Sequence, residues 1–432
     1  MLRVDITALS YALGLVVAYY FVLYLMSLRP RVPYDFGPYR PPVVLVVPAH
    51  NEELVLPATL SAFGRLEYGG PIRLLIVDDA SDDGTRRIAE DAAVGDARIR
   101  LLARGPEIGG RGKGAVLNHA HQLIAQLVAD GDEWLAGAAA RDVLVCIVDA
   151  DGQLDRNTLS EVAPYFSDPM VGGVQIGVRI ANAHSGVLPR LQDMEFVGFS
   201  WLVQAARDRL GSVGLGGNGQ FVRLAALADL GPEPWAPAAL TEDLDLGIKL
   251  VLRGWLLRFC PRVGVDQQGL SAWRPLLRQR TRWLQGHYQA WLHIGPLLRS
   301  ANVRRITRAD LAAYLILVTG VVAVTSCAFA AVAQWFGWIE VTNTFLVWLP
   351  GPEYRAVTLV LAVTPLVVTM ATYSRYSRHP LRWFEIPAYG AAFSLYCYIW
   401  AIATVRAWTR ALLRRDAWVK TPRVHAELVE AA

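Results

Sequence analysis

Apolar residues follow three patterns along this chain. Residues 7–28 and several stretches after residue 311 are apolar on every face, which suits a helix in lipid. Between residues 41 and 273, short β-branched runs alternate with helical stretches. The run VVLVV (43–47) predicts a buried strand and LVLPATLSAF (54–63) a helix. RLLIVD (73–78) predicts a second strand, with a helix from Gly84, and RIRLLA (98–103) a third, with a helix from about Gly114. VLVCIVDAD (143–151) predicts a fourth. Continuous apolar strands separated by helices imply an α/β domain with a parallel sheet covered on both faces. Ligands of such sheets bind beyond the carboxyl ends of the strands. Two of these strands end in aspartates, at Asp78-Asp79 and at Asp149-Ala150-Asp151.

Composition fits this mixture. The 432 residues are 53% hydrophobic and 19% charged, too apolar for an ordinary soluble protein and too polar for a pure membrane bundle. The net charge of +4 is too small to imply a nucleic-acid partner. Four widely spaced cysteines, Cys146, Cys260, Cys327 and Cys397, form neither a metal pattern nor a disulfide framework, and a cytoplasm-facing domain follows. Four stretches are long enough to cross a bilayer: 7–28, 311–336, 356–373 and 384–405. The first lacks a cleavage site and is expected to remain as an anchor. Arg29 and Arg31 follow it, and Arg299, Arg304, Arg305 and Arg308 precede the second, so the intervening domain is expected on the cytoplasmic side. Three C-terminal crossings would place the tail outside, although it carries Arg406, Arg410, Arg414, Arg415, Lys420 and Arg423. Either one segment is re-entrant or a further crossing lies near TFLVWLPG (344–351).

Each polar motif has a plain structural explanation beside a chemical one. Asp149 and Asp151 suit a turn after a strand, or a divalent cation that also holds a diphosphate. VDDASDDGT (77–85) suits a loop and helix start, or hydrogen bonding to a base. GGRGKGAVLNHA (109–120) places glycines, Arg111 and Lys113 before a helix, fit to approach a diphosphate, but it is not a Walker A loop. In TEDLDLG (241–247) Thr241 is a candidate N-cap, with acids in the first turn, and Asp243 is a candidate general base. QRTRWLQGH (279–287) suits an interfacial collar or a site. His119, His121 and His287 lack ligand spacing and read as packing or surface residues.

The order of VPAHNEE, VDDASDDGT, GKGAVLNHA, DAD, TED and QRTRW, flanked by apolar spans, resembles the membrane-integrated inverting glycosyltransferases of family 2. That family includes cellulose, hyaluronan and poly-N-acetylglucosamine synthases and glucosyl-lipid synthases. The resemblance covers about residues 41–283. It implies a GT-A type, doubly wound, Rossmann-like cytoplasmic domain joined to transmembrane helices. The corresponding divisions are an anchor at 1–30, the transferase domain at 41–273, interface helices at 274–308, a membrane region at 309–410 and a basic tail at 411–432. It further implies that Glu52, Asp78, Asp79, Lys113 and Asp149 bind the nucleotide sugar, that Asp149 and Asp151 bind Mg2+ or Mn2+, and that Asp243 is the base. Glu242, Gln279, Arg282 and Trp283 would form the acceptor and diphosphate end. The implied partners are a UDP-sugar, a lipid or glycan acceptor and a multi-pass cell-membrane setting. GLGGNGQFVR (214–223) and RTRWLQGH resemble the glycolipid-forming branch more than the long-chain polymer synthases. A nucleotide-sugar-binding protein without turnover is the rival from another class, and the intact carboxylates argue against it.

Overall fold

The computed structural model describes residues 2–28, 39–320, 326–327, 330, 333–334, 336–342, 364 and 366–413. Ten strands are described: β1 (Leu2–Asp5), β2 (Val43–Ala49), β3 (Ile72–Asp79), β4 (Ile99–Arg104), β5 (Leu144–Ile147), β6 (Gln153–Leu154), β7 (Val171–Ile180), β8 (Gln220–Arg223), β9 (Leu256–Gln267) and β10 (Ile339–Thr342). Eight of them form one sheet in the order β4-β3-β2-β5-β8-β7-β9-β6, while β1 pairs with β10. The helices that bear on the site are α1 (Thr7–Ser27), α2 (Leu56–Gly64), α3 (Thr85–Gly95), α4 (Lys113–Ala129), α5 (Val187–Gly198), α6 (Glu242–Leu252), α7 (Trp273–Gln289), α8 (Arg305–Leu317), α9 (Ile386–Tyr396) and α10 (Tyr398–Leu412).

The four strands expected from the apolar runs form and lie parallel to one another. Alternate side chains of each run enter opposite cores, because strand side chains alternate between the two faces. Val44, Val46, Leu75, Val77, Val145 and Ile147 pack with Val116, Leu117 and Ile124 of α4 and Leu244 and Ile248 of α6. Val43, Leu45, Val47, Leu74, Ile76 and Cys146 pack with Leu56 and Phe63 of α2 and Ala89 of α3 on the other face. Strands beyond these four make the sheet mixed. β8 runs antiparallel between β5 and β7, and β6 runs antiparallel to β9. Both are short, and β8 follows the glycines of GLGGNG, so neither shows an extended apolar run.

Chain order jumps where β2 meets β5, and the crevice at such a switch point is where doubly wound sheets hold ligands. The loops after β2, β3 and β5 open there.

Two helical stretches among the described residues are long and apolar enough to cross a membrane, α1 and 386–412, the latter made of α9 and α10. Leu15, Leu25 and Leu28 on or beside α1 are exposed, as an apolar solvent would require. The expected span at 311–336 begins inside α8, but that helix ends at Leu317 and a 3-10 turn follows at Val318–Gly320. Much of its remainder, most of 356–373, the stretch 344–351 and the tail from residue 414 lie outside the described residues.

Candidate active site

Four ionisable groups from three parts of the chain meet at the switch point. Lys113 opens α4, where Gly110 and Gly112 adopt φ of 70° and 92°. Those left-handed conformations bring the loop round tightly and favour glycine. The Lys113 Nζ donates to Asp149 Oδ1, in the loop after β5, and to the Gly217 carbonyl at 2.6 Å. Glu242 Oε1 lies 3.8 Å from the same ammonium. Asp243 is adjacent: a Cβ added to Gly217 would sit 3.1 Å from Lys113 Nζ and 3.3 Å from Asp243 Oδ2. Only a residue without a side chain leaves this point open.

Two acidic neighbours in a buried place resist ionisation together. Burial raises the Asp243 carboxyl above its ordinary range, against the opposing effects of the Leu244 N–H, Lys113 and Arg282. Burial and the Asp243 charge raise Glu242. A carboxylate raised in this way is a better proton acceptor near neutrality. Thr241 stands at the N-cap position of α6 as expected, but its hydroxyl makes no capping bond. It packs instead on α7, where a Cβ on Gly286 would fall 2.3 Å from the Thr241 Oγ1. The glycine of QRTRWLQGH therefore lets α7 lie against the TED turn.

Gln279, Arg282, Trp283 and Gly286 share one face of α7 by their helical spacing. Arg282 reaches the turn itself, its Nη1 donating to the Leu240 carbonyl at 3.0 Å. Gln279 accepts from Arg280, and Trp283 packs edge-on to Phe196 with centroids 5.9 Å apart. The Arg280 guanidinium lies 4.1 Å from the Trp283 centroid, so one aromatic face is already occupied within the protein.

The opposite end of the crevice is built by the loops after β2 and β3. Glu52 is buried, and its N–H donates to Thr85 Oγ1 at 2.7 Å, tying one loop to the other. Asp78 is fully buried, with Arg86 Nε at 3.5 Å. Asp79 pairs with Arg104 and accepts the Gly110 N–H at 3.1 Å, which fixes the glycine loop. Asp83 takes the plain structural role, accepting the Thr85 N–H at 2.9 Å where α3 begins.

Asp149 and Asp151 stand on one loop but are held differently. Asn218 accepts the Asp149 N–H at 3.1 Å, and Asp151 is almost fully buried and accepts the Gln268 N–H at 2.9 Å. Among the described residues no group of three or more His, Cys, Asp or Glu is placed to enclose a metal. Two carboxylates without a closed cage fit Mg2+ or Mn2+, which bind through one or two carboxylates together with substrate phosphates.

Several contributors were missed in the sequence. Asn218 and Gly217 lie in GLGGNGQ, whose glycines were visible but whose contacts depend on β8 turning back beside β5. Arg280 is fully buried and donates to Glu195 Oε2 at 2.6 Å, while Arg282 is not buried. Helical spacing from Leu276 through Arg280 to Leu284, all buried, was the available signal. His287 does pack, between the Trp283 carbonyl and the Tyr314 hydroxyl.

The domain that holds this crevice is similar to known proteins. The model of "Glycosyltransferase like family 2" matches residues 41–286. The β-monoglucosyldiacylglycerol synthase of Synechocystis sp. is 31% identical over 279 residues, which is 64% of this chain and 54% of that protein. An N-acetylglucosaminyltransferase of Rhizobium meliloti is 28% identical over 275 residues, 61% of this chain and 59% of that protein. The chain thus spans somewhat over half the length of these curated relatives. A mannosyltransferase of Pyrobaculum calidifontis, solved with GDP-Man and Mn2+, superposes with a TM-score of 0.62 at 20% identity, over 94% of this chain and 98% of that one. That likeness is one of fold. The matched region takes in every strand of the large sheet and ends inside α7, so the chain belongs to glycosyltransferase-like family 2, on a GT-A fold.

Proposed function

We propose that the protein is a membrane-bound inverting hexosyltransferase that moves a sugar from a UDP-sugar to a lipid hydroxyl at the cytoplasmic face of the cell membrane. The observation that carries this reading is the meeting of Lys113, Asp149, Glu242 and Asp243 at the switch point of a family 2 domain. The glucosyldiacylglycerol synthase relatives favour UDP-glucose as donor and a diacylglycerol-like acceptor. The two apolar helical stretches support membrane residence, and a multi-pass topology is proposed from the apolar segments of the sequence.

In this reading the acceptor hydroxyl attacks the anomeric carbon, its proton passes to Asp243, and the bond to UDP breaks on the opposite face. One displacement inverts the centre and needs no protein nucleophile. Lys113, drawn from Asp149, and Arg282 beside the TED turn offset the charge that gathers on the leaving diphosphate. Glu242 and Gln279 complete that end, and Trp283 walls the acceptor side. Glu52 and Asp78 receive the nucleoside, and Asp79 orders the glycine loop beneath it. Mg2+ or Mn2+ held by Asp149 and Asp151 would supply Lewis-acid stabilisation of the diphosphate.

The test is turnover of radiolabelled UDP-glucose and UDP-N-acetylglucosamine by the purified protein in lipid, with Mn2+ or Mg2+, followed by partition between organic and aqueous phases. Label in small organic-phase material is expected, and Asp243→Asn should lower it at least about 1000-fold while UDP still binds. Label in large glucanase- or hexosaminidase-sensitive material would instead identify a processive polymer synthase. Full activity in Asp243→Asn would remove Asp243 from the role of base.

A further inference from the structure

The segment that precedes α9 reaches back onto the transferase domain. Its Arg378 Nη2 contacts Asp155 Oδ1 and lies 3.0 Å from Asp266 Oδ2. Arg179 bridges the same two carboxylates, at 2.7 Å and 3.1 Å. Two arginines and two aspartates therefore form a balanced cluster, with Asp266 only 3% exposed. The same segment has a second anchor beside the first: the Tyr373 hydroxyl and Ser377 Oγ donate to Asp193 at 2.9 and 3.0 Å, and Asp193 also accepts the N–H of Ile180, next to Arg179.

The cluster sits directly behind the two candidate metal ligands. Asp155 follows β6, and β6 follows Asp151 after one glycine. Asp266 is the β9 partner of Gln153 in β6. The next residue, Gln267, accepts from Asn218 Nδ2 at 2.9 Å, and Asn218 accepts the Asp149 N–H. The residue after that, Gln268, donates its N–H to Asp151. Asp151 is thus held by the residue that follows β9, and Asp149 by Asn218, which is itself bonded to Gln267 of β9, the strand that carries Asp266. Removing Arg378 leaves buried carboxylate charge with half its compensation, which drives Asp155 and Asp266 apart.

We propose that Arg378 is a positioning residue for the metal and nucleotide site, through which docking of the apolar C-terminal region sets the geometry of the Asp149–Asp151 loop. This rests on the reading of those two aspartates as metal ligands. Partners that orient metal ligands typically change metal affinity by about 10- to 100-fold when lost.

The test is calorimetric binding of UDP to the full chain in detergent across a Mn2+ titration, with melting temperature recorded in parallel. Arg378→Gln should raise the Mn2+ concentration for half-maximal UDP binding by about tenfold. Tyr373→Phe, which removes a bond to Asp193 and leaves the Arg378 ion pairs in place, should leave it at the wild-type value. A wild-type Mn2+ requirement in Arg378→Gln, with only a lowered melting temperature, would reduce the cluster to a structural tie and overturn the proposal. An equal Mn2+ shift in Tyr373→Phe would overturn it as well. Should Arg378→Gln fail to fold, Arg378→Lys is measured in its place, since the shorter lysine keeps the charge but not the reach with which Arg378 Nη2 meets both carboxylates. A shift in the same direction then supports the proposal, and a wild-type value overturns it. UDP binding by the wild type with no Mn2+ dependence would instead sink the metal reading, and the proposal with it.

Discussion

Asp243 and Glu242 are sequential acids that burial and proximity keep from ionising together, and their titration has a definite sign. Burial and the Asp243 charge push Glu242 from 4.5 up to about 7. A carboxyl whose folded pKa lies above its unfolded value takes up a proton on folding. Its contribution therefore favours the fold below 4.5 and is lost as pH rises through about 7. Glu242→Gln should accordingly raise the melting temperature above neutrality and leave it unchanged in acid. The gain should be roughly 1–3 kcal/mol, since each tenfold change in proton affinity is worth about 1.4 kcal/mol. An equal gain at both ends of the pH range would show that the effect is packing rather than ionisation. Asp243 is raised as well, so with Asp243 as the proposed base the acid limb of kcat/KM should lie above the ordinary carboxylate range, since a base must be ionised to act.

At the scale of the element, α7 sends its two arginines to different places, one into the helix packing and one to the TED turn. Arg280 is enclosed by Glu195, Tyr396 and the rings of Trp283 and Trp400, and ties α7 to α5, α9 and α10. Arg282 projects instead towards the TED turn. Arg280→Ala should destabilise the protein by about 3–5 kcal/mol, because Glu195 loses its buried partner. Arg282→Ala should leave the melting temperature within a degree or so of wild type, as partly exposed substitutions usually do, yet lower kcat about 100-fold through loss of charge at the leaving group. Thermal unfolding and initial rates on the two variants separate these roles, and the reverse pattern would exchange them. In the sequence the family resemblance pointed to Arg282 on α7, whereas the buried role of Arg280 was not visible. Spacing along the helix separates the faces, whereas the identity of the neighbours depends on Glu195 and Tyr396, far away in the chain. The four parallel strands and their aspartates were legible for the opposite reason: alternating burial and strand-end loops are local. Asn218, Gly217 and Gln268 were not, since only the antiparallel return of β8 and the length of β9 bring them to Asp149 and Asp151.

Across the whole molecule, buried ion pairs rather than apolar contact alone join the apolar helices to the catalytic domain. Arg207, in the short helix Ala205–Leu210, is fully buried, with Nε donating to Asp310 Oδ2 of α8 at 2.9 Å. Tyr19 of α1 donates to the other oxygen of Asp310 at 3.0 Å, and the Arg207 guanidinium lies 4.0 Å from the Tyr314 centroid. Tyr314 in turn meets His287 on α7, so α1, α8 and the catalytic face share one polar junction. None of these partners is near another in sequence, apart from Asp310 and Tyr314 on one helix, which is why the chain read in isolation offers separate spans and a separate domain. Asp310→Asn removes the charge facing Arg207 while preserving shape, and should lower stability by about 3–5 kcal/mol. Replacing both members by apolar residues, Arg207→Met with Asp310→Leu, should recover most of that loss, because the cost lies in the orphaned charge rather than in the missing bond. Thermal unfolding in detergent, with limited proteolysis as a probe of the packing of α1, measures both variants. A double variant as unstable as Asp310→Asn would mean that the junction holds α1 by specific hydrogen bonds, and not by balanced charge.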